Sequence, residues 1–126
     1  MNKKQPTVAE LKILWLLWEA SPLTVKEIHE KLYPDNEIGY TTILKTVQVM
    51  TAKGFLSREK KSRQHLYTPI IQKQKTNEQL LERFVDNVFA GSSTQLMMQL
   101  LGSYKASPEE IEKIKEMLDK KKGGLK

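Results

Sequence analysis

The 126-residue sequence contains no cysteine, which excludes disulfide bonds, thiolate metal sites and cysteine nucleophiles. It also lacks an apolar run of membrane-spanning length, because the longest run extends only from Ile13 to Trp18. Its two histidines, His29 and His65, fall on different predicted elements, and no nucleophile motif or phosphate-binding glycine loop accompanies them. We therefore expect a soluble cytoplasmic protein that is not an enzyme, does not contact a membrane and requires no metal or cofactor.

The charge balance is basic, with 21 lysines and arginines against 15 acidic residues and a formal net charge of +6. Such a balance favours a polyanionic partner, most often a nucleic acid. The chain is long enough for a small domain with an appendage. Its patterns predict a mainly α fold with a small β wing: a winged helix-turn-helix DNA-binding domain over residues 1–72, and a helical dimerisation domain over residues 73–126.

The first two predicted helices each begin with a Thr-x-x-Glu capping box, at Thr7 and at Thr24. The apolar residues of the first helix predict burial on more than one side, and we expect its tryptophans, Trp15 and Trp18, to lie in the core. A third predicted helix begins at Tyr40. Three helices joined by tight turns are typical of a helix-turn-helix unit.

The third predicted helix runs to Gly54, a residue suited to the left-handed position that ends a helix. Ile43, Val47 and Met50 form its apolar stripe, and no acidic residue occurs anywhere along it. A slim polar face of this kind suits the major groove of DNA. Its candidates for base or groove contact are Thr41, Thr42, Lys45 and Gln48. The alternative is an ordinary amphipathic helix whose outer face is merely solvated.

These four candidates have different chemistry. Lys45 can donate to guanine O6 and N7, and Gln48 can pair bidentately with adenine. Thr41 and Thr42 lie at the predicted helix N-terminus, where hydroxyls and free N–H groups can meet phosphate. Thr41 can also be an N-cap, which is the alternative structural role for this residue.

Two short predicted strands follow, Phe55–Glu59 and Gln64–Thr68, with a loop over residues 60–63. A hairpin directly after a reading helix is typical of a wing. Basic residues cluster there against a single acid, and we expect them to hold DNA phosphates. They are Arg58, Lys60, Lys61 and Arg63. The alternative is a solvated hairpin tip that is kept basic to protect an edge strand.

Three further helices are predicted in the C-terminal part, the first capped by Thr76, with an interruption at Gly91-Ser92-Ser93 and a last start at Ser107-Pro108. They carry more apolar surface than a thin trio of helices can bury alone, so we expect a two-fold homodimer. The residues expected at this interface are Leu80, Leu81, Phe84, Val88, Phe89, Leu96, Met97, Leu100, Leu101, Ile111, Ile114 and Leu118. The alternative folds these helices back onto the N-terminal part as one monomeric core.

The sequence resembles the BlaI/MecI (penicillinase repressor) family of bacterial transcriptional regulators. Three ordered blocks carry the resemblance. The first is Thr7-x-x-Glu10-x-x-Ile13-Leu14-x-x-Leu17-Trp18, followed by Thr24-Val25-x-Glu27-Ile28. The second is Tyr40-Thr41-Thr42-Ile43-Leu44-Lys45-Thr46 running on to Met50-x-x-Lys53-Gly54 and Arg63-x-x-x-Tyr67-x-Pro69, and the third is Phe84-Val85-x-x-x-Phe89-x-Gly91-Ser92 with Leu96 and the later Ser107-x-Glu109-Glu110-Ile111. They span nearly the whole chain, and the second block is the most specific. The resemblance implies a winged-helix half that binds a dyad operator and a helical half that dimerises.

In the best-known members of that family, a membrane-anchored sensor protease triggers cleavage of an Asn-Phe bond in the C-terminal half, which weakens the dimer. The corresponding bond in this sequence joins Ser92 to Ser93. Cleavage with that specificity is therefore not expected, and an inducing protease is a doubtful partner. Copper-responsive relatives end in a cysteine-rich metal site, which a chain without cysteine cannot form.

The function that these patterns favour is a homodimeric, sequence-specific DNA-binding repressor. The alternative from another class is a winged-helix interaction module that scaffolds a protein complex without contacting DNA. The acid-free helix face beside a basic wing argues against that alternative. Structured RNA is a third candidate partner, but a slim major-groove helix suits A-form RNA poorly.

Overall fold

The computed structural model describes residues 5–103 and 105–123. Within these residues, the elements follow the order α1 (Val8–Ala20), α2 (Val25–Leu32), α3 (Tyr40–Ala52), β1 (Leu56–Lys61), β2 (Gln64–Pro69), α4 (Lys73–Val88), α5 (Ser93–Ser103) and α6 (Pro108–Gly123). The predicted mainly α fold with a small β wing is confirmed. None of the helices in this described part has both the length and the apolar character needed to cross a membrane.

The chain divides into two compact units, and the division falls within α4. The first unit ends at Leu81 and the second begins at Glu82. The first unit therefore includes the N-terminal half of α4 as well as α1 to β2. The boundary predicted between residues 72 and 73 separates DNA-binding from dimerising functions, and it stays a prediction.

Both predicted capping boxes are present. At the start of α1, the Glu10 amide donates to Thr7 Oγ1 at 3.2 Å, and the Thr7 amide donates to Glu10 Oε1 at 2.9 Å. At the start of α2, the same reciprocal pair joins Thr24 and Glu27 at 3.1 and 2.9 Å. Each box satisfies two backbone donors that have no partner within the helix, so these two sequence signals locate the helix starts correctly.

The burial of α1 differs from the prediction at one tryptophan. Ile13 and Leu17 are buried, but Trp15 is 57% exposed, so the prediction of a core position for Trp15 was wrong. Trp15 is two residues from both of them and lies roughly 200° around the helix from each, on the opposite side. Trp18 is half-buried, and its indole Nε1 donates to the Ile71 carbonyl at 3.0 Å.

The core of the first unit is a single apolar cluster to which α1, α2, α3 and the wing (the β1–β2 hairpin) contribute. Its buried members are Ile13, Leu14, Leu17, Leu23, Val25, Ile28, Ile43, Val47, Met50, Phe55, Leu56 and Tyr67. The segment before α2 is tied to the wing by an antiparallel bridge, in which the amides of Leu23 and Tyr67 donate to each other's carbonyls at 3.2 and 2.8 Å. Three helices followed by an attached hairpin constitute a winged helix.

The hairpin turn is shorter than predicted. β1 and β2 are antiparallel with Lys61 opposite Gln64, so the turn consists of Ser62 and Arg63 alone. The prediction that Lys60 and Lys61 lie in a loop was therefore wrong. Ser62 and Arg63 have φ values of 50° and 70°, the left-handed backbone that a two-residue type I′ turn requires. Sequence reading missed this turn because neither position holds the usual asparagine or glycine.

Of the three C-terminal helix boundaries predicted from the sequence, two are confirmed and one was wrong. The helix break around Gly91 is present, with φ values of 51° at Ala90 and 84° at Gly91. The start of α6 is a reciprocal cap between Ser107 and Glu110, at 2.8 and 3.1 Å. The prediction that Thr76 caps α4 was wrong, because the helix begins at Lys73 and the Thr76 amide already donates within it.

Candidate DNA-binding surface and dimer interface

The C-terminal end of α3 is closed by a glycine cap. Gly54 has a φ of 88°, in the left-handed region that glycine adopts without strain. The amide of Phe55 donates to the Met50 carbonyl at 2.9 Å, and the Gly54 amide donates to the Thr51 carbonyl at 3.1 Å. This pair of bonds is a Schellman motif, which satisfies the last carbonyls of the helix and directs the chain into β1.

An ion pair fastens the same end of α3 to the start of α1. Lys53 Nζ lies 2.9 Å from Glu10 Oε2 and 3.1 Å from Oε1. The Glu10 side chain is only 5% exposed, and it also caps α1 through Thr7. Sequence reading missed this contact because its partners are 43 residues apart and no local pattern joins them.

The N-terminal end of α3 is held by His29 of α2. His29 Nε2 donates to the Ile38 carbonyl at 2.8 Å, in the turn that precedes α3. Its ring also meets the Tyr40 ring edge-on, with centroids 6.1 Å apart and an interplanar angle of 88°. Sequence reading gave His29 no role. The turn is thus fixed before the helix begins, so α3 is positioned at both ends.

The outward side of α3 is a polar face, which we call the reading face. The structure places all four predicted contact residues on it, together with two residues that were not candidates for DNA contact. Its exposed members are Thr41, Thr42, Lys45, Gln48, Val49 and Ala52. The buried stripe is the predicted one, formed by Ile43, Val47 and Met50. The N-cap is Gly39, which leaves the Thr41 side chain inside the first helical turn rather than at the cap.

The threonines of α3 have different hydrogen bonds. Thr46 Oγ1 donates to the Thr42 carbonyl at 2.9 Å, and Thr51 Oγ1 donates to the Val47 carbonyl at 2.8 Å. Both hydroxyl protons are therefore engaged by the helix backbone. Thr41 and Thr42 lie in the first turn, whose backbone N–H groups point away from the helix and favour negative charge.

The four basic residues of the wing are all exposed, and they occupy three different positions on the hairpin. Side chains alternate along a strand, so Arg58 and Lys60 lie on the hairpin face shared with buried Leu56, whereas Lys61 lies on the other face. Arg63 occupies the turn.

Two open grooves lie between the wing and α3. The first, of about 410 Å³, is bordered by Gln48 and Ala52 of α3 and by Ser57 and Arg58 of β1. This groove brings two residues of the reading face, Gln48 and Ala52, together with the wing cation Arg58. Each groove has exposed polar edges, as a surface that accepts a charged backbone requires.

The second groove, of about 320 Å³, adjoins the N-terminal turn of α3. Tyr40 lies there with Lys26 of α2 and with Arg63 and His65 of the wing. The structure therefore brings Arg58 close to Gln48 and Arg63 close to Tyr40, while Lys60 and Lys61 lie at the outer end of β1.

The predicted dimerisation residues lie on α4, α5 and α6, with Phe89 directly after α4. Nine of the twelve are exposed: Leu81, Phe84, Val88, Met97, Leu100, Leu101, Ile111, Ile114 and Leu118. The other three, Leu80, Phe89 and Leu96, are half-buried. Between α5 and α6, a groove of about 660 Å³ is lined by Leu100, Leu101, Ala106, Ile111, Ile114, Lys115 and Leu118.

Comparison with known proteins agrees with this architecture. A sequence profile of the penicillinase repressor family matches residues 6–120. The chain belongs to the penicillinase repressor family. This family comprises transcriptional repressors rather than enzymes, and the resemblance inferred from the three sequence blocks is confirmed.

Relatives in the penicillinase repressor family cover nearly the whole chain. The penicillinase repressor of Bacillus licheniformis is 25% identical over an alignment of 126 positions that covers 98% of each protein. The methicillin resistance regulatory protein MecI of Staphylococcus aureus strain N315 is 21% identical over 113 residues, covering 90% of this chain and 92% of MecI.

A solved structure from another family has a similar fold. It is a MarR family protein from Bacillus stearothermophilus, with a TM-score of 0.54 at 21% identity, covering 94% of this chain and 74% of that protein.

Proposed function

We propose that two copies of this chain bind a two-fold symmetric DNA operator and repress transcription from it until a signal releases them. Residues 1–72 bind the DNA in this proposal, and residues 73–126 join the copies. The observation that carries it is the reading face, an exposed helix surface without acidic residues that is flanked by the basic wing. Such a surface can enter the major groove while its neighbours neutralise phosphates.

The proposal divides the DNA contacts into two chemical groups. Lys45 and Gln48 read base edges, since a lysine suits guanine and a glutamine suits adenine. Thr41 and Thr42, in the first turn of α3, contact the groove wall and its phosphates. Arg58, Lys60, Lys61 and Arg63 hold phosphates along the wing and carry no sequence information directly. Membership of a repressor family supports DNA binding, and the division of contacts is argued from side-chain chemistry.

A second copy is the proposed occupant of the apolar surface on α4, α5 and α6. In residues 82–103 and 105–122, whose burial the structure describes, Val85 is the one buried hydrophobic side chain. An exposed apolar surface of this extent marks an interface. Two-fold pairing is the commonest assembly, and it presents two reading faces to the two half-sites of a symmetric operator.

Release by cleavage at an Asn-Phe bond is not part of the proposal. The corresponding Ser92 and Ser93 lie where α5 begins, and Ser92 Oγ accepts a hydrogen bond from the Gln95 amide at 3.2 Å. Ser92 therefore serves as a helix cap here. The Ser92-Ser93 bond argues only against cleavage with Asn-Phe specificity, and induction experiments must identify the releasing signal.

The first test is binding of random duplex DNA across a salt series. Several phosphate contacts per half-site require log affinity to fall steeply and linearly with log salt concentration. Selection from a random oligonucleotide pool then reports the preferred sequence, and a symmetric motif is expected from a two-fold dimer. A flat salt response, with no selected motif, would favour the alternative scaffold function and overturn the proposal.

A further inference from the structure

Val49 is an apolar residue on an otherwise small and polar reading face. It is 47% exposed, and it does not belong to the buried cluster of the first unit. It is two residues from buried Val47 and so lies roughly 200° around α3 from it. Packing within the first unit does not account for a branched apolar side chain at this position.

The neighbours of Val49 on the reading face determine what it can meet. Lys45 lies one turn before it, Gln48 lies beside it, and Ala52 follows with a side chain too short to screen it. In the major groove, the apolar group that base pairs present is the 5-methyl of thymine. A valine has no donor or acceptor, so this methyl is the feature through which it can distinguish one base pair from another.

We propose that Val49 packs against the 5-methyl group of a thymine in the major groove and determines specificity at that base pair. The inference rests on the proposed function, because it requires the reading face to lie in the groove. Four residues along a helix span about 6 Å. Since bases are stacked about 3.4 Å apart, the thymine lies within about two base pairs of the base that Lys45 contacts.

The test uses the full-length protein and a duplex obtained by selection from a random pool. Each thymine of one half-site is replaced in turn by uracil, which lacks only the 5-methyl group, and the dissociation constant is measured at fixed salt. Wild-type protein is expected to lose about fourfold in affinity at one position, the effect of about one buried methyl group. Val49→Ala is expected to bind the thymine and uracil duplexes equally at that position.

Two variants serve as controls. Val8→Ala makes the same chemical change at an exposed valine of α1, outside the reading face, and it is expected to keep the wild-type preference for thymine. Thr42→Ser removes the methyl group of another β-branched residue on the reading face and is also expected to retain that preference, whatever its overall affinity. Alanine favours helix more than valine does, so Val49→Ala should keep α3 intact, which circular dichroism will verify.

The outcomes separate this inference from the proposed function. Wild-type binding with no sensitivity to uracil at any position overturns the role of Val49 and leaves the DNA-binding proposal standing. The role of Val49 is also overturned if replacing thymine by uracil still lowers the affinity of Val49→Ala, or if that loss of affinity disappears in Thr42→Ser instead. Failure to bind duplex DNA in a salt-dependent manner overturns both.

Discussion

The two units of the molecule bury their apolar residues very differently. The first unit has a cluster of twelve buried hydrophobic residues drawn from three helices and the wing. The second unit has one buried hydrophobic side chain, Val85, in the part that the structure describes, although α5, α6 and the end of α4 carry many large apolar residues. Two stretches of one chain thus have apolar residues at helical spacing, and only one of them forms a core.

This difference indicates where each unit obtains its stability. Burial of a large aliphatic side chain contributes about 1.5–3 kcal/mol, so the first unit has its own source of folding free energy. The second unit must obtain most of its burial from another surface, and in our proposal that surface is a second copy. Stability should therefore depend on protein concentration in the second unit and not in the first.

The largest expected effect comes from making the same substitution in each unit. Ile28 is fully buried and Ile114 is 40% exposed. Ile28→Ala should destabilise the first unit by about 2–5 kcal/mol, because it leaves a cavity in a packed core. Ile114→Ala should leave that unit unchanged and instead weaken self-association. Urea unfolding at two protein concentrations measures both, and equal effects of the two variants would contradict the comparison.

The next largest effect concerns the surface of the second unit. Leu101 is 70% exposed in the single chain, so Leu101→Asp should not disturb the fold of one copy. Its charge would be buried without a partner in the proposed dimer, which costs several kcal/mol, so dimerisation should weaken by about 100-fold or more. Sedimentation equilibrium measures this change.

Gln99 provides a matched control for Leu101→Asp. It lies on α5 two residues from Leu101, on the opposite side, and it is exposed. Gln99→Glu adds the same charge and should leave the dimer intact. A wild-type chain that sediments as a monomer at high concentration, with and without DNA, would remove the basis of this prediction.

Sequence periodicity was sufficient for most of the first unit because its signals are local. Both threonine caps, the Gly54 helix end and the stripe of Ile43, Val47 and Met50 depend on residues within a few positions of each other. The same reasoning placed Lys45 and Gln48 on the exposed side of α3. Local rules work here because helical caps and stripes are set by backbone geometry.

The sequence-based predictions were wrong or incomplete at positions whose burial or contacts depend on residues far away in the sequence. Trp15 was assigned to the core by its hydrophobicity, but the buried side of α1 is set by α2, α3 and the wing. The Glu10–Lys53 ion pair joins distant residues, and the Ser62–Arg63 turn uses residue types that rarely adopt positive φ. Val49 is a different case. Its exposure follows from its helical spacing relative to Ile43, Val47 and Met50, but the DNA contact proposed for it depends on the polar side chains around it.

An intermediate effect is expected at the ion pair that fastens α3 to α1. Lys53→Met leaves the buried Glu10 carboxylate without its cation and should destabilise the first unit by about 1–3 kcal/mol, reduced because Lys53 is partly exposed. Glu10→Gln combined with Lys53→Met removes both charges, keeps an acceptor for the Thr7 amide and should recover part of the loss. Urea unfolding of the wild type, Lys53→Met, Glu10→Gln and the double variant gives the coupling energy of the pair. A coupling energy near zero would exclude a stabilising role for the pair.

The smallest expected effects separate two roles within the DNA-binding surface of the first unit. Lys45 lies on the reading face and Lys61 at the outer end of β1, and both are exposed, so neither substitution by alanine should alter folding. Lys45→Ala should reduce binding to the selected operator by about tenfold and relax preference at one base pair, because a base-edge contact is lost. Lys61→Ala should weaken operator and random DNA equally and lower the salt slope by about one, because only a phosphate contact is lost. Competition titrations against random duplex at several salt concentrations distinguish the two, and the reverse pattern would show that the wing, rather than α3, reads the sequence.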